Sequence, residues 1–317
     1  MEDQKETVER LRHHVMELSF NIGERNFEKR ASLDRAAAYI YESFERFGYP
    51  PRVQEFNVDP APWITRVRTG PDQIDLVSRG SYRNICATLP GSSPETIVVG
   101  AHYDTVLGSP GADDNASGVA GLMELAYLLR NRSPEKTIEF VAFANEEPPF
   151  FRTSAMGSDR YVADSLSKKR KIVFMISLEM IGYYSEKASS QKYPPLLKFF
   201  YPDHANFIAV VGNFPSRRYV RRMKKTFDER SNLSAQPLVA PQFVRGVDLS
   251  DQLSFWKRKI PAIMLTDTAF YRNPNYHCPT DLPETLNFEK MSEVVKGVHS
   301  FLIAEGGAPV ENDSRRP

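Results

Sequence analysis

Apolar residues recur every three or four positions near the start of the chain, over residues 7–18 and 33–47. That spacing places them on one side of a helix and predicts two amphipathic helices. Farther along, nearly continuous apolar runs at residues 96–101, 137–143 and 171–178 are typical of strands buried on both faces. Helical patterns separate these runs, which favours a mostly parallel sheet.

Strands that alternate with helices are covered on both sides, so the expected fold class is a three-layer α/β architecture with a mixed, mostly parallel sheet flanked by helices. We predict a single domain over residues 1–305, in which helices of residues 1–50 pack on a core of residues 82–304. Residues 50–81 are rich in Pro, Gly and Asp and are predicted to form one strand and a long loop. Residues 306–317 are expected to be a disordered tail.

Composition and charge exclude several classes of function. Lys and Arg number 41 against 40 Asp and Glu, so a net charge of +1 provides no overall field for nucleic acid or anionic lipid. No apolar run approaches the roughly 20 residues that a membrane span needs. The first residues lack the apolar core of a secretory signal, and there are only two cysteines. We expect a cytoplasmic protein without nucleic-acid or membrane partners; its oligomeric state stays open.

Histidines and carboxylates follow the predicted strands at the end where α/β sheets place their ligands. Together with a nearby pair of aspartates and one tyrosine, they are His102, Asp104, Asp113, Asp114, Glu146, Glu147, Glu179, Tyr276 and His277. Two imidazoles and several carboxylates on one sheet edge would bury charge unfavourably without a cation. Mixed nitrogen and oxygen ligands suit zinc, or less often manganese or cobalt, and this set is large enough for two ions.

Five short motifs occur in the order typical of the M28 family of zinc-dependent exopeptidases, and the chain resembles that family over about residues 82–304. The motifs are GAHYDT (residues 100–105), PGADDNASG (110–118), NEE (145–147), LEM (178–180) and YHCPTD (276–281). The resemblance implies the phosphorylase/hydrolase-like fold of those enzymes. It also implies the activity of an aminopeptidase, which hydrolyses the N-terminal bond of a peptide substrate.

Carried over by position, the resemblance implies two Zn²⁺ ions, with Mn²⁺ or Co²⁺ as alternatives. The implied ligands are His102, Asp113, Glu147, Glu179 and His277. Asp113 would bridge the ions, one beside His102 and Glu179 and the other beside Glu147 and His277. Glu179 stands where many members of the family have aspartate.

Three further residues are assigned roles in catalysis. The resemblance implies that Glu146 is the general base. Asp104 lies two residues beyond His102, so on an extended chain both side chains point the same way and the carboxylate can orient the imidazole. Tyr276 either packs against its neighbours or hydrogen-bonds to a developing oxyanion, as a tyrosine does in some relatives.

A preference for apolar N-terminal residues is expected from Phe150 and Phe151, which closely follow Glu147. They either begin an apolar pocket or pack as core. Two alternatives to the dizinc aminopeptidase stay open, a single-zinc glutaminyl cyclase of the same superfamily and a catalytically inactive scaffold. The basic residues in 217–225 share one side of a predicted helix and are interpreted as a solvated surface.

Overall fold

A mixed sheet lies at the centre of the protein in a computed structural model, which describes residues 4–58, 80–194 and 197–307. Among those residues, eight strands pair in the order β1-β2-β4-β3-β5-β8-β6-β7. Their bounds are β1 Arg52–Val58, β2 Gly80–Leu89, β3 Ser93–His102, β4 Lys136–Phe143, β5 Lys171–Glu179, β6 Phe207–Gly212, β7 Ser234–Val239 and β8 Ala262–Thr266. Strands β4, β3, β5 and β8 pair in parallel, so their carboxyl ends meet at one edge.

Helices cover both faces of this sheet, as the alternating pattern predicts. Their bounds are α1 Gln4–Val15, α2 Arg30–Arg46, α3 Gly118–Leu129, α4 Gly157–Ser167, α5 Arg217–Arg230, α6 Gln252–Trp256 and α7 Phe288–Gly306. The larger apolar core packs α1, α2, α3, α5 and α7 on one face. A smaller core packs α4 and α6 on the other. The expected three-layer α/β fold class is therefore confirmed, with antiparallel strands β1, β2 and β6 making the sheet mixed.

Strand β7 was not expected from the sequence. Strand β7 contains Pro237 and two polar residues, Ser234 and Gln236, which hide the apolar pattern of a buried strand. It pairs in parallel with β6 and ends the sheet order. Proline is tolerated at a sheet edge because one side of such a strand needs no main-chain donor.

The N-terminal segment packs on α3, the helix that follows the PGADDNASG motif. Arg10 donates two hydrogen bonds to the buried carboxylate of Glu124 in α3, at 2.7 and 2.8 Å. The Tyr49 hydroxyl donates to the carbonyl of Ala126 at 2.8 Å. After α1 the chain continues as a π-helical segment, Met16–Ile22, beyond the predicted end at residue 18.

Some expectations fall where the structure does not describe the chain. Residues 59–79 of the predicted long loop lie outside the described part of the chain. The same holds for residues 308–317 of the predicted tail. Residue 306, expected to start the tail, is the last residue of α7. Within the described ranges, no helix is both long and apolar enough to cross a bilayer. The domain bounds and the cellular location stay predictions.

Candidate metal centre

The predicted site residues gather at the carboxyl edge of the parallel strands. His102 is the last residue of β3, and Glu179 is the last residue of β5 beside it. Strand β4 flanks β3 on its other side and runs into a turn that carries Glu146 and Glu147. His277 reaches the same edge from the loop that follows β8. All of these side chains except the partly exposed His277 are buried.

One carboxylate, that of Asp114, lies between the two histidines. Its Oδ1 is 3.4 Å from His102 Nε2, which is also 3.3 Å from Glu179 Oε2. Its Oδ2 is 3.2 Å from His277 Nε2, which is also 3.4 Å from Glu147 Oε2. Two groups of three potential ligands, His102–Asp114–Glu179 and Asp114–Glu147–His277, therefore share a single residue.

The resemblance implied Asp113 as the shared carboxylate, whereas the structure places the carboxylate of its neighbour Asp114 between the two imidazoles. Asp113 Oδ1 accepts a hydrogen bond from the Gly182 amide at 2.9 Å, and its Oδ2 accepts one from Asn273 Nδ2 at 2.7 Å. The backbone of Asp114 is not helical, with φ −103° and ψ 87°. Neighbouring side chains consequently point to different sides, and only Asp114 faces the two imidazoles.

Two buried aspartates hold the loops that carry these ligands. Asp104 accepts hydrogen bonds from the main-chain amides of Glu146 and Glu147, each at 3.1 Å. Asp281 accepts in the same way from the amides of Asp113 and Asp114, at 2.9 and 3.0 Å. Asp281 was not singled out in the sequence, although it closes the YHCPTD motif.

The contact between Asp104 and His102 differs from the expected one. His102 Nδ1 is within hydrogen-bonding distance, 3.2 Å, of the main-chain carbonyl of Asp104. Its distance to the Asp104 carboxylate is longer, 3.5 Å. The carbonyl is therefore the nearer partner of the imidazole, while the carboxylate holds the turn at Glu146.

Acidic side chains outnumber basic ones at this edge. Burial raises the pKa of Glu146 well above its usual range, and the neighbouring carboxylates of Glu179 and Glu147 raise it further. Burial and the Asp114 carboxylate raise the pKa of Glu147 to about 7. Burial would lower the pKa of His277, but its hydrogen bonds with Asp114 and Glu147 raise it to about 10. Such a cluster favours a bound cation over bare carboxylates.

The arrangement of donor atoms fits zinc. With bonds of 2.0–2.1 Å to nitrogen and oxygen, the ligand atoms of a tetrahedral zinc site lie about 3.3 Å apart. The four distances from the two imidazole nitrogens to the carboxylate oxygens beside them span 3.2 to 3.4 Å. Within the described part of the chain, Glu147 Oε1 is buried and accepts no hydrogen bond, so it remains available as a ligand. Ser250 Oγ donates to Glu179 Oε2 at 2.5 Å and fixes the orientation of that side chain.

An apolar pocket opens beside the cluster. Glu179 and Tyr276 belong to its wall on the metal side. Its floor is formed by side chains of the last three strands and a loop, among them Phe207, Ala209, Val211, Leu238, Val247 and Met264. The tyrosine ring stacks on the His277 ring at 3.8 Å between centroids, so Tyr276 joins the pocket to the cluster.

The two phenylalanines expected to begin a pocket do not line this one. Phe150 is buried and packs edge-to-face on Phe27 at 5.9 Å and on Tyr82 at 5.3 Å, as core. Phe151 is partly exposed, with the Arg152 guanidinium 5.4 Å from its ring centre. The apolar surface at the site instead comes from β6, β7 and β8, which the sequence did not connect with it.

A model of peptidase family M28 matches residues 84–302, more than half of the chain. The chain belongs to peptidase family M28. This M28 peptidase is 41% identical over 303 residues to an uncharacterized protein of Escherichia coli, YfbL, and the match covers 93% of this chain and 87% of that protein. It is 29% identical over 239 residues to a probable leucine aminopeptidase of Trichophyton verrucosum. That match covers 71% of this chain and 58% of the relative.

Solved structures share the fold of this M28 peptidase. The zinc aminopeptidase BSAP of Bacillus subtilis superposes with a TM-score of 0.72 at 18% identity, covering 94% of this chain and 95% of that one. The LapA aminopeptidase of Legionella pneumophila gives a TM-score of 0.71 at 20% identity, covering 96% and 74%. A glutaminyl cyclase of Bacteroides thetaiotaomicron gives 0.65 at 18% identity, covering 94% and 96%. These likenesses establish the architecture.

Proposed function

We propose that this M28 peptidase is an aminopeptidase whose centre holds two zinc ions. The observation that carries the proposal is the position of Asp114, whose two oxygens face two separate imidazoles. Each imidazole has a second carboxylate beside it, Glu179 for His102 and Glu147 for His277. A shared carboxylate between two such triads suits a pair of ions about 3.5 Å apart.

The bound ions would supply Lewis acidity, which lowers the pKa of a water molecule and polarises the scissile carbonyl. Glu146 is buried beside the two triads without belonging to either, so its carboxylate is free to take a proton from the attacking water. The same group can then deliver that proton to the leaving amine. The Tyr276 hydroxyl is proposed to donate a hydrogen bond to the carbonyl oxygen as negative charge develops there.

The pocket next to Tyr276 is proposed to take the side chain of the N-terminal residue. Its lining is mostly apolar, and the cationic residues Lys192 and Arg245 also contribute to it. An apolar cavity favours leucine or phenylalanine, whereas these cations disfavour lysine and arginine. We expect kcat/KM for apolar residues to exceed that for lysine by roughly 10 to 200-fold.

Hydrolysis of leucine p-nitroanilide and of its N-acetyl derivative tests the proposal, with enzyme reconstituted in zinc. The free amine substrate should be cleaved and the blocked one should not, because an aminopeptidase requires the N-terminal amine. Equal cleavage of both would contradict exopeptidase activity. Cyclisation of a glutamine-initiated peptide, without hydrolysis of either anilide, would instead support the glutaminyl cyclase alternative. Zinc binding without either reaction would support the scaffold.

A further inference from the structure

An arginine of the N-terminal segment is fully buried close to the centre. Arg25 lies between the π-helical segment and α2, and its side chain is among the largest of the fully buried ones. Its guanidinium donates five hydrogen bonds, each to a main-chain carbonyl. The acceptors are Tyr103 at 2.7 Å, Pro110 at 2.7 Å, Gly111 at 2.9 Å, Leu18 at 3.2 Å and Gly23 at 3.2 Å.

Those bonds hold both ends of the loop that connects β3, which ends at His102, with the segment that carries Asp114. Tyr103 lies between His102 and Asp104, and Gly111 lies three residues before Asp114. Gly111 has a φ of +63°, and a β-carbon there would meet the Asp114 carbonyl at 2.4 Å. At Gly111, therefore, the backbone lies close to both Arg25 and Asp114.

The main chain of Arg25 adds two more contacts to the same region. Its amide donates to Thr105 Oγ1 at 3.1 Å, and its carbonyl accepts from the Thr105 amide at 3.0 Å. The residue is therefore attached to the loop after β3 through both its backbone and its side chain. Replacing the side chain leaves the backbone attachment in place.

The charge of Arg25 also bears on the acidic cluster. Burial lowers its pKa to about 10, and the carboxylates of Asp281, Asp104, Asp114 and Glu147 act against that lowering. The guanidinium is thus protonated at neutral pH. A buried cation beside several buried carboxylates offsets part of their mutual repulsion.

We propose that Arg25 is a positioning residue of the metal centre, which holds the two ends of the loop between His102 and Asp114 at the spacing that lets one carboxylate face both histidines. This role rests on the proposed function, since it concerns the same two ions. The fork of an arginine is required because five carbonyls accept from it, and lysine carries only three donors.

This role is tested by comparing the zinc affinity of three variants with that of wild type. Each metal-free protein is titrated with zinc well below its melting temperature. Arg25→Met removes the donors and the charge, whereas Arg25→Lys keeps the charge. Arg35→Met is the matched control, because Arg35 is exposed on α2 and donates one hydrogen bond to the Ile22 carbonyl at 3.1 Å. The kcat and KM for leucine p-nitroanilide are measured on the same samples.

Arg25→Met should weaken zinc binding about 10 to 100-fold, the range for residues that orient metal ligands. Arg25→Lys should lose less, and Arg35→Met should match wild type. The kcat of Arg25→Met should fall while KM stays nearly unchanged, because the pocket is built on β6, β7 and β8. A role in stability alone predicts a lower melting temperature with wild-type zinc affinity in the folded protein.

Wild-type zinc affinity in folded Arg25→Met would overturn the assignment. If Arg25→Met does not fold, Arg25→Lys provides the test. Wild-type zinc affinity together with wild-type kcat in Arg25→Lys would then overturn the assignment. A wild-type protein that binds no zinc would contradict the proposed function, and the role of Arg25 with it. The two failures are therefore distinguished by the wild-type titration.

Discussion

The carboxylate of Asp281 accepts a hydrogen bond from the main-chain amide of Asp114 at 3.0 Å. Its second oxygen accepts from the amide of Asp113 at 2.9 Å, so one side chain fixes two successive peptide groups. That contact sets the direction in which each of the two neighbouring side chains leaves the backbone. The position of the shared carboxylate therefore depends on a residue that is 167 positions away in sequence.

Replacement of Asp281 by asparagine should weaken the metal centre. An amide offers one oxygen acceptor instead of two, and its NH₂ group would face one of the main-chain N–H groups. We expect zinc affinity to fall about 10 to 100-fold in Asp281→Asn, measured by competition with a chelator. Asp34→Asn, at an exposed position on α2, is the control and should bind zinc like wild type. Equal affinities in the two variants would remove the role given to Asp281.

The adjacent residues Glu146 and Glu147 should give opposite phenotypes. Glu146→Gln should lower kcat by about 10² to 10⁴ and keep its metal, because it removes the proton acceptor alone. Glu147→Gln should release metal, because Glu147 Oε2 faces His277 at 3.4 Å. Turnover and metal content are measured together on the same preparations. Exchanged phenotypes would mean that the two roles are assigned the wrong way round.

The size of the pocket should set which N-terminal residue is preferred. Ala209 on β6 lines it, so Ala209→Leu fills part of the space intended for the substrate side chain. The ratio of kcat/KM for phenylalanine p-nitroanilide to that for alanine p-nitroanilide should fall about tenfold or more. Ala163→Leu places the same change on the exposed side of α4 and should leave the ratio unaltered. An unchanged ratio in Ala209→Leu would place the side-chain site elsewhere.

A buried histidine of α1, His14, should make stability depend on pH. Burial, with the charges of His13, Arg46 and Arg10, lowers the pKa of His14 from 6.5 to about 3. Between these values the unfolded chain takes up a proton that the folded chain does not. The free energy of unfolding should therefore fall as pH drops below 6.5, by up to about 1.4 kcal/mol per unit from this group.

Urea denaturation of wild type, His14→Gln and His13→Gln between pH 7 and pH 5 measures this contribution. His13→Gln removes one neighbouring charge and should keep most of the wild-type pH dependence, because burial is the largest cause of the lowered His14 pKa. The difference in free energy of unfolding between wild type and His14→Gln should shift steadily over that interval. A constant difference would show that His14 does not carry the effect.

The sequence predicts the strand ends well because a strand buried on both faces must be almost entirely apolar, and polar residues just beyond it stand out. His102 and Glu179 are recognisable for that reason. The choice between Asp113 and Asp114 depends on the local backbone of an irregular turn and on a partner, Asp281, that is distant in sequence. No pattern of apolar and polar residues contains that information.

Other features depend on tertiary packing in the same way. Arg25 is one of several charged residues in a polar segment, and its burial follows from the parts of the chain that close over it. Phe150 follows the site directly in sequence, yet it turns into the core beside Phe27. Conversely, β7 forms a wall of the pocket although Pro237 obscures its character as a strand. Distance along the chain is a poor guide to which side chains meet at a loop-built site.

The central claim, that Asp114 is the shared carboxylate, is tested most directly by metal content. It is measured for wild type, Asp113→Asn and Asp114→Asn after zinc reconstitution and removal of excess ion. Wild type and Asp113→Asn should each retain about two ions per chain, because Asp113 faces Gly182 and Asn273 and five ligands remain. Asp114→Asn should retain one ion or fewer, because the carboxylate between the two histidines is lost. Two ions in Asp114→Asn, with loss of metal in Asp113→Asn, would contradict the account.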